Sequence, residues 1–257
     1  LFAHQAELKI NVKIAFYSDA KESIQNGILN NGVVAAFKLQ INPNSYSGDI
    51  LVKKSEYLPS NDNFEITIKN KNGENSPISH IIAQIIENLY TLIPIKFQNS
   101  SNSLISVCNI ECGTSFDISP SFGTIRGNIQ TFDAEIRSLT PVYIKQVIGC
   151  IVAAFDVEYE FKLFEGAPSV YNNEILSDKV SNVAKDIGNL IPLKGEKMHG
   201  DNFSYISERI PSCLFEIGCT APTQKEKYPL NSEYFNLDEN CMQTGIDLLS
   251  NIALQFK

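Results

Sequence analysis

Several signals that assign a function at a glance are missing from this chain of 257 residues. No dense run of Lys or Arg occurs, and 29 acidic against 21 basic side chains leave a formal net charge of −8. Nucleic acid is therefore excluded as a partner, because its binding needs clustered cations to neutralise phosphates. No unbroken apolar run reaches the roughly 20 residues of a membrane span. The longest clusters, Ile81-Ile82 and Ile85-Ile86, are interrupted by Gln84 and Glu87, so no membrane is expected. The six cysteines include no Cys-x-x-Cys pair, which argues against a zinc knuckle or a redox site. Cys108 and Cys112 lie four apart and are expected on one strand face as small buried residues, and free packed thiols imply a reducing, cytoplasmic compartment. No charged leader with a cleavable apolar core is visible. Gly-x-Ser-x-Gly, Gly-x-Gly-x-x-Gly and Gly-Lys-Ser/Thr are all absent, which removes the nucleophile elbow, the dinucleotide fingerprint and the phosphate loop.

What is present is a folding composition. A hydrophobic fraction of 43% with 14 Gly and 11 Pro can offset ordering entropy, and the length suffices for two lobes. The middle zone is the most regular. Residues 64–69 alternate apolar and polar as a half-buried strand, and Asn72-Gly73 supplies a turn. Ser76 with Pro77 starts a helix whose buried face is Ile78, Ile81, Ile82, Ile85, Leu89 and Ile93, and Pro94 ends it. Strands over residues 104–110 and 123–132 follow. Asp133 caps a second helix with Ile136, Leu139, Tyr143, Val147, Ile151 and Phe155 on one side, and residues 157–163 complete the set. The order strand, helix, strand, strand, helix, strand is that of a ferredoxin-like α+β sandwich. Its free surfaces suit a second copy, which makes it a dimerisation module.

The flanking zones read as halves of one α/β domain, split by that insertion. Residues 12–16 form a buried strand, 22–29 a short helix, and 33–41 a strand. Further on, Ser177 caps a helix through Ile187, residues 214–217 form a strand, and 239–256 a terminal helix bearing Met242, Ile246, Leu249, Ile252 and Ala253. The division is therefore 1–58, 59–168 and 169–257. Of three histidines, His4 and His80 read as surface residues. His199 lies in the polar turn Lys197-Met-His-Gly-Asp201, the kind of loop where α/β proteins carry site residues. Asp19 and Glu22 around Lys21, and Asp238-Glu239, are the carboxylate pairs, and neither comes with histidines.

Five segments resemble one family. Gly113-Thr-Ser-Phe-Asp-Ile-Ser-Pro, Gly127-Asn-Ile-Gln-Thr-Phe-Asp, Gly200-Asp-Asn-Phe-Ser-Tyr-Ile, Ile210-Pro-Ser-Cys-Leu-Phe-Glu-Ile-Gly and Tyr228-Pro-Leu-Asn-Ser-Glu-Tyr-Phe occur in the order found in di-metal amidohydrolases. These include hippurate, N-acyl-amino-acid and auxin-conjugate hydrolases of the aminoacylase and carboxypeptidase-G superfamily. The resemblance implies a split zinc-peptidase-like α/β domain with an inserted lid that dimerises. It implies a reaction in which two zinc or manganese ions activate water against an amide and a glutamate moves the proton.

The same resemblance shows where the chain departs. The family's Gln-Pro-Ala-Glu-Glu, with base and ligand, is matched by Tyr17-Ser-Asp-Ala-Lys21, and the ligand histidines by Gln40 and Asn231. The lid histidine is matched by Glu74, the substrate-binding Asn by Asp117, and the carboxylate-anchoring Arg by Gln130. No segment carrying the family's upstream Cys and His ligands is seen, so the peptidase-like domain is expected to be incomplete at its N-terminus. An open strand edge or exposed apolar surface should follow. Neutral amides hold hard divalent cations poorly. The expectation is a catalytically inactive relative, without a metal cofactor of its own, that keeps the lid homodimer and a cleft for a small amide or amino acid. Gln40, Glu74, Asp117, Gln130, His199 and Asn231 are its degenerate ligand-contacting positions. The rivals are an active enzyme whose atypical centre gathers Asp19, Glu22, His199 and Asp201, and an interaction protein acting through its lid.

Overall fold

A computed structural model of the chain describes residues 6–71, 76–97, 103–113, 120–193 and 200–256. Two compact units result. Unit 1 comprises Leu1–Tyr57, Val170–Glu196 and Asn202–Lys257, and unit 2 comprises Leu58–Ser169 and Lys197–Asp201.

Unit 2 is built from β4 (Asp62–Lys69), α2 (Ile78–Lys96), β5 (Ser103–Cys112), β6 (Phe122–Thr131), α3 (Ala134–Phe155) and β7 (Glu158–Phe164), with β5-β6-β4-β7 as the antiparallel strand order. Strand β4 buries Phe64, Ile66 and Ile68 on one face, as alternation requires. Helix α2 lays all six expected apolar residues, from Ile78 to Ile93, into that core. Each fully buried apolar side chain is worth roughly 1.5–3 kcal/mol, which is what holds the two layers together. Gly127 has a packing reason: a Cβ there would sit 2.3 Å from the Phe64 ring.

Four details of unit 2 differ from expectation. Pro94 lies inside α2, which runs on to Lys96, because a proline in the last turn deletes only one bond. Ser76 is not the cap: Pro77 holds that position without a side-chain bond, and Ser76 Oγ donates to Phe155 O at 3.4 Å. Helix α3, capped by Asp133 as expected, buries Thr140, Ile144, Ile148 and Val152, one position round from the expected stripe, and Leu139 and Val142 face solvent. This helix is apolar on nearly every side, so its spacing fits two faces equally well. Cys108 is exposed and Cys112 half-buried, because a bulge between Val107 and Asn109 throws Cys108 out of phase. Of the other thiols, Cys150 is exposed, and Cys213, Cys219 and Cys241 are buried. The Asn72-Gly73 turn lies outside the described residues.

By length and composition alone α2 and α3 are both apolar enough to cross a membrane, although neither is an unbroken apolar run. They carry few charges, Glu87 and Lys96 in one and Glu135, Arg137 and Lys145 in the other. Here each packs its buried stripe on the sheet.

Unit 1 contains α1 (Ala20–Gln25), β1 (Ala36–Tyr46), β2 (Asp49–Val52), β3 (Ser55–Leu58), β8 (Val170–Asn172), α4 (Glu174–Ile187), β9 (Asn189–Pro192), α5 (Ser204–Ser207), β10 (Ser212–Thr220) and α6 (Asn240–Gln255). Its sheet runs β1-β10-β2-β9, with β1 parallel to β10, β2 antiparallel to β10, and β2 parallel to β9; β3 pairs with β8 separately. Strand β10 is buried along its whole length, as a central parallel strand should be. Helices α4 and α6 cover one sheet face through Val180, Val183, Leu248 and Ile252.

Here the corrections are larger. Residues 12–16 are irregular and Phe16 is 96% exposed, because no described strand offers them a ladder and alternation alone cannot satisfy a strand's N–H and C=O groups. The helix expected over 22–29 runs over Ala20–Gln25, broken by Gly27 at φ +86°. The cap of α4 is Asn173, whose side chain accepts from Leu176 N, not Ser177. Helix α6 buries Cys241, Gly245 and Leu248 and turns Met242 (51% exposed) and Ile246 (58%) outward. Those two, with Leu249, Leu39, Ile41 and Ile217, line an apolar groove beside β1, whose outer edge is unpaired among the described residues.

Candidate functional site

The positions singled out from sequence fall into three groups. Gln40 lies in β1 of unit 1, beside Glu216 of β10 in the parallel register. Its Oε1 is buried and has no hydrogen-bond partner. Asn231 is exposed in a turn closed by Ser232 N donating to Pro229 O. Gln130 belongs to unit 2, where its Nε2 donates to Asn61 Oδ1 at 3.4 Å beside Asn128. Glu74, Asp117 and His199 lie outside the described residues.

Within unit 1 the segment matched to the family's base and ligand is fully committed to other work. Asp19 is the N-cap of α1, its Oδ1 accepting from Lys21 N at 2.7 Å and Glu22 N at 3.2 Å. Ala20 is buried, Lys21 Nζ lies 4.4 Å from the Tyr205 ring centre, and Glu22 is exposed. The two recognised segments do meet: Asn202 Nδ2 donates to Ser18 O at 2.7 Å, tying the Gly-Asp-Asn-Phe run to the start of α1. Of the four residues of the alternative centre, Asp19 and Glu22 belong to unit 1, Asp201 belongs to unit 2, and His199 lies outside the described residues.

Sequence reading missed the group at the centre of this face. Glu216 is wholly buried in β10 and accepts from Asn42 Nδ2 at 2.8 Å. Tyr57, equally buried, has its hydroxyl pushed far above its ordinary value, first by burial and then by the Glu216 charge. The available signal was a single carboxylate inside the otherwise apolar stretch Cys213-Leu-Phe-Glu-Ile. Such a residue is nearly always paired when buried. On the far side of the sheet the Cys213 thiol is raised to about 11 by burial, against a smaller opposing effect of its bond to Ser177. Cys219 is raised to about 11 by burial and by neighbouring Cys241. These thiols stay protonated near neutral pH and are poor nucleophiles.

A pair of divalent cations needs several carboxylates and imidazoles on one spot. Among the described residues no group of three or more His, Cys, Asp or Glu side chains is arranged to hold one. At the matched positions stand an amide with an orphaned oxygen, a methyl and an ammonium, a donor set that does not fit such a pair.

No family model matches the sequence. The chain is 29% identical over 97% of its length to an N-acetylcysteine deacetylase of Bacillus subtilis, and 26% identical over 92% to thermostable carboxypeptidase 1 of Saccharolobus solfataricus. It spans 67% and 62% of those relatives. Among solved structures it is similar to the Bacillus subtilis YXEP protein, a dinuclear metal binding peptidase from the M20 family, with a TM-score of 0.76 and 28% identity over 91% of this chain and 60% of that one. Its α/β fold is that of these peptidases. By sequence and by fold the chain is similar to amidohydrolases and peptidases of the M20 family.

Proposed function

We propose that this chain is a non-catalytic member of its family, a scaffold that keeps the sheet face while the side chains for two-metal hydrolysis have been exchanged. The observation that carries the reading is the buried, unpartnered Oε1 of Gln40 together with Ala20 and Lys21 at the carboxylate positions. An amide oxygen left without a donor in a protein interior costs roughly 1–3 kcal/mol. Its retention fits a face that meets a small polar ligand bearing an N–H, such as an amide or amino acid, in place of a metal. Lys38 on β1 offers a charge to the same face, in the direction strand alternation gives to Lys38, Gln40 and Asn42.

The chain works in the cytoplasm as a homodimer joined through unit 2 in this proposal. Support comes from Tyr90, Leu92 and Ile95 of α2 and Leu139 and Val142 of α3, large apolar side chains left in solvent on the sandwich. Sedimentation tests the dimer: Leu92→Glu with Leu139→Glu should return a monomer, and an unchanged sedimentation coefficient would refute that assembly. Binding of N-acetylcysteine by calorimetry tests the ligand class. A Kd in the micromolar to millimolar range that weakens at least tenfold in Gln40→Leu supports it, and no heat at any concentration rejects it.

A further inference from the structure

The body of unit 2, Leu58–Ser169, is entered and left by two strands that run on from β3 and into β8, which pair with each other. Each end of this double crossing is fastened by one side chain, wholly buried Asn172 and half-buried Arg137. At the unit 1 end Asn172, wholly buried, donates Nδ2 to Lys53 O at 2.8 Å and to Leu214 O at 2.7 Å, and its Oδ1 accepts from Leu214 N at 2.8 Å. At the unit 2 end Arg137, in the first turn of α3, grips Asp62 with both arms of its fork, Nε to Oδ2 at 2.8 Å and Nη2 to Oδ1 at 2.7 Å. The same Nη2 donates to Gly166 O at 3.0 Å, and Asp62 Oδ1 also accepts from Gly166 N at 2.8 Å. Asn61 N donates to Ala167 O at 2.9 Å. A Cβ on Gly166 would lie 1.8 Å from Asn61 O, so any side chain there would wedge the strands apart.

We infer that the outgoing and returning ends of unit 2 are one joint, held by Arg137, whose two segments open together or not at all. Asp62 opens β4 on the outbound side and Gly166 lies in the irregular return segment between β7 and β8, and Arg137 bonds to both. Asp62 is only 3% exposed, so freeing one strand while the other stays would leave a buried charge without its full set of partners. Losing all three contacts at once, with water entering, costs less than holding any subset.

Amide hydrogen exchange on the full chain tests the joint. In the unaltered protein the amides of Asn61 and Gly166 should show protection factors within threefold of each other. In Arg137→Lys, which keeps the charge and loses the fork, both should exchange at least tenfold faster by a common factor, while Ile66 and Ile68 in the middle of β4 change less than threefold. Asp62→Asn should give the same pattern. Protection differing by more than tenfold between the two amides in the unaltered protein, or acceleration of one strand alone, would mean two independent crossings. Equal acceleration of β4, or none at either strand, would reduce Arg137 to an ordinary fold contact and overturn the proposal. Should neither variant fold, the comparison in the unaltered protein decides.

Discussion

Unit 2 closes its sheet beneath two helices, whereas unit 1 leaves an eleven-residue parallel strand unpaired on one side among the described residues and holds Met242, Ile246 and Phe16 in solvent. In the first, every strand finds its partner within the one continuous segment Leu58–Ser169. The second depends on neighbours far apart in sequence, because β1 pairs with β10 across more than 170 residues. Local pattern is thus a sufficient guide where all the partners lie in one continuous segment. Where a strand's environment is set by distant segments, identical alternation can end buried in a sheet, as at Phe64, or exposed, as at Phe16.

The contrast can be broken most forcefully at Phe64. Its ring fills the space over Gly127, so Phe64→Ala should lower the stability of unit 2 by about 3–5 kcal/mol in urea denaturation followed by segment-resolved exchange, leaving unit 1 protection unaltered. Loss of both units together would show that they fold as one.

Alkaline pH should act on the opposite unit. Cys213 and Cys219 rise to about 11 in the folded chain from an ordinary 9.0, and the Tyr57 hydroxyl rises too, all three in unit 1. An acid whose pKa is higher folded than unfolded binds more protons when folded. Its stabilisation is fully present below pH 9 and is lost as pH climbs towards 11, at up to roughly 1.4 kcal/mol per group per pH unit. Unit 1 should therefore open before unit 2 between pH 9 and 11. The reverse order in exchange experiments would contradict the burial of these groups.

Smaller effects sharpen the comparison. Asp133 and Asn173 cap one long helix in each unit, and Asp133→Ala and Asn173→Ala should each cost about 1 kcal/mol, read as a shift in denaturation midpoint of the affected unit alone. Ile246→Gln, on the exposed side of α6, should change stability by less than about 0.5 kcal/mol and raise solubility, because the side chain it replaces already meets water. A loss as large as that of a core residue would mean that the groove is covered in solution.

Much of this architecture was legible in the residues. Asp133 marked the start of α3, the period of Ile78 to Ile93 fixed the buried face of α2, and the order of elements gave the sandwich. The face of α3 was not legible, since Leu139/Tyr143/Val147 and Thr140/Ile144/Ile148 both repeat at helical spacing and only the sheet chooses between them. The same ambiguity concealed which side of α6 is buried. At the site, Lys21, Gln40 and Asn231 were read by resemblance alone as standing where the family has carboxylates and imidazoles. The buried polar cluster of unit 1 could not be read at all. Glu216, Asn42 and Tyr57 come from three strands, and their convergence exists only after β1 and β10 have paired.

The most direct test of the account is metal analysis paired with turnover. Purified chain, incubated with excess zinc or manganese and passed through a desalting column, should retain far less than one ion per chain and should leave N-acetylcysteine and hippurate uncleaved over a day. Two retained ions per chain with metal-dependent release of the amino acid would show that an amide, a methyl and an ammonium have not ended the chemistry of this fold.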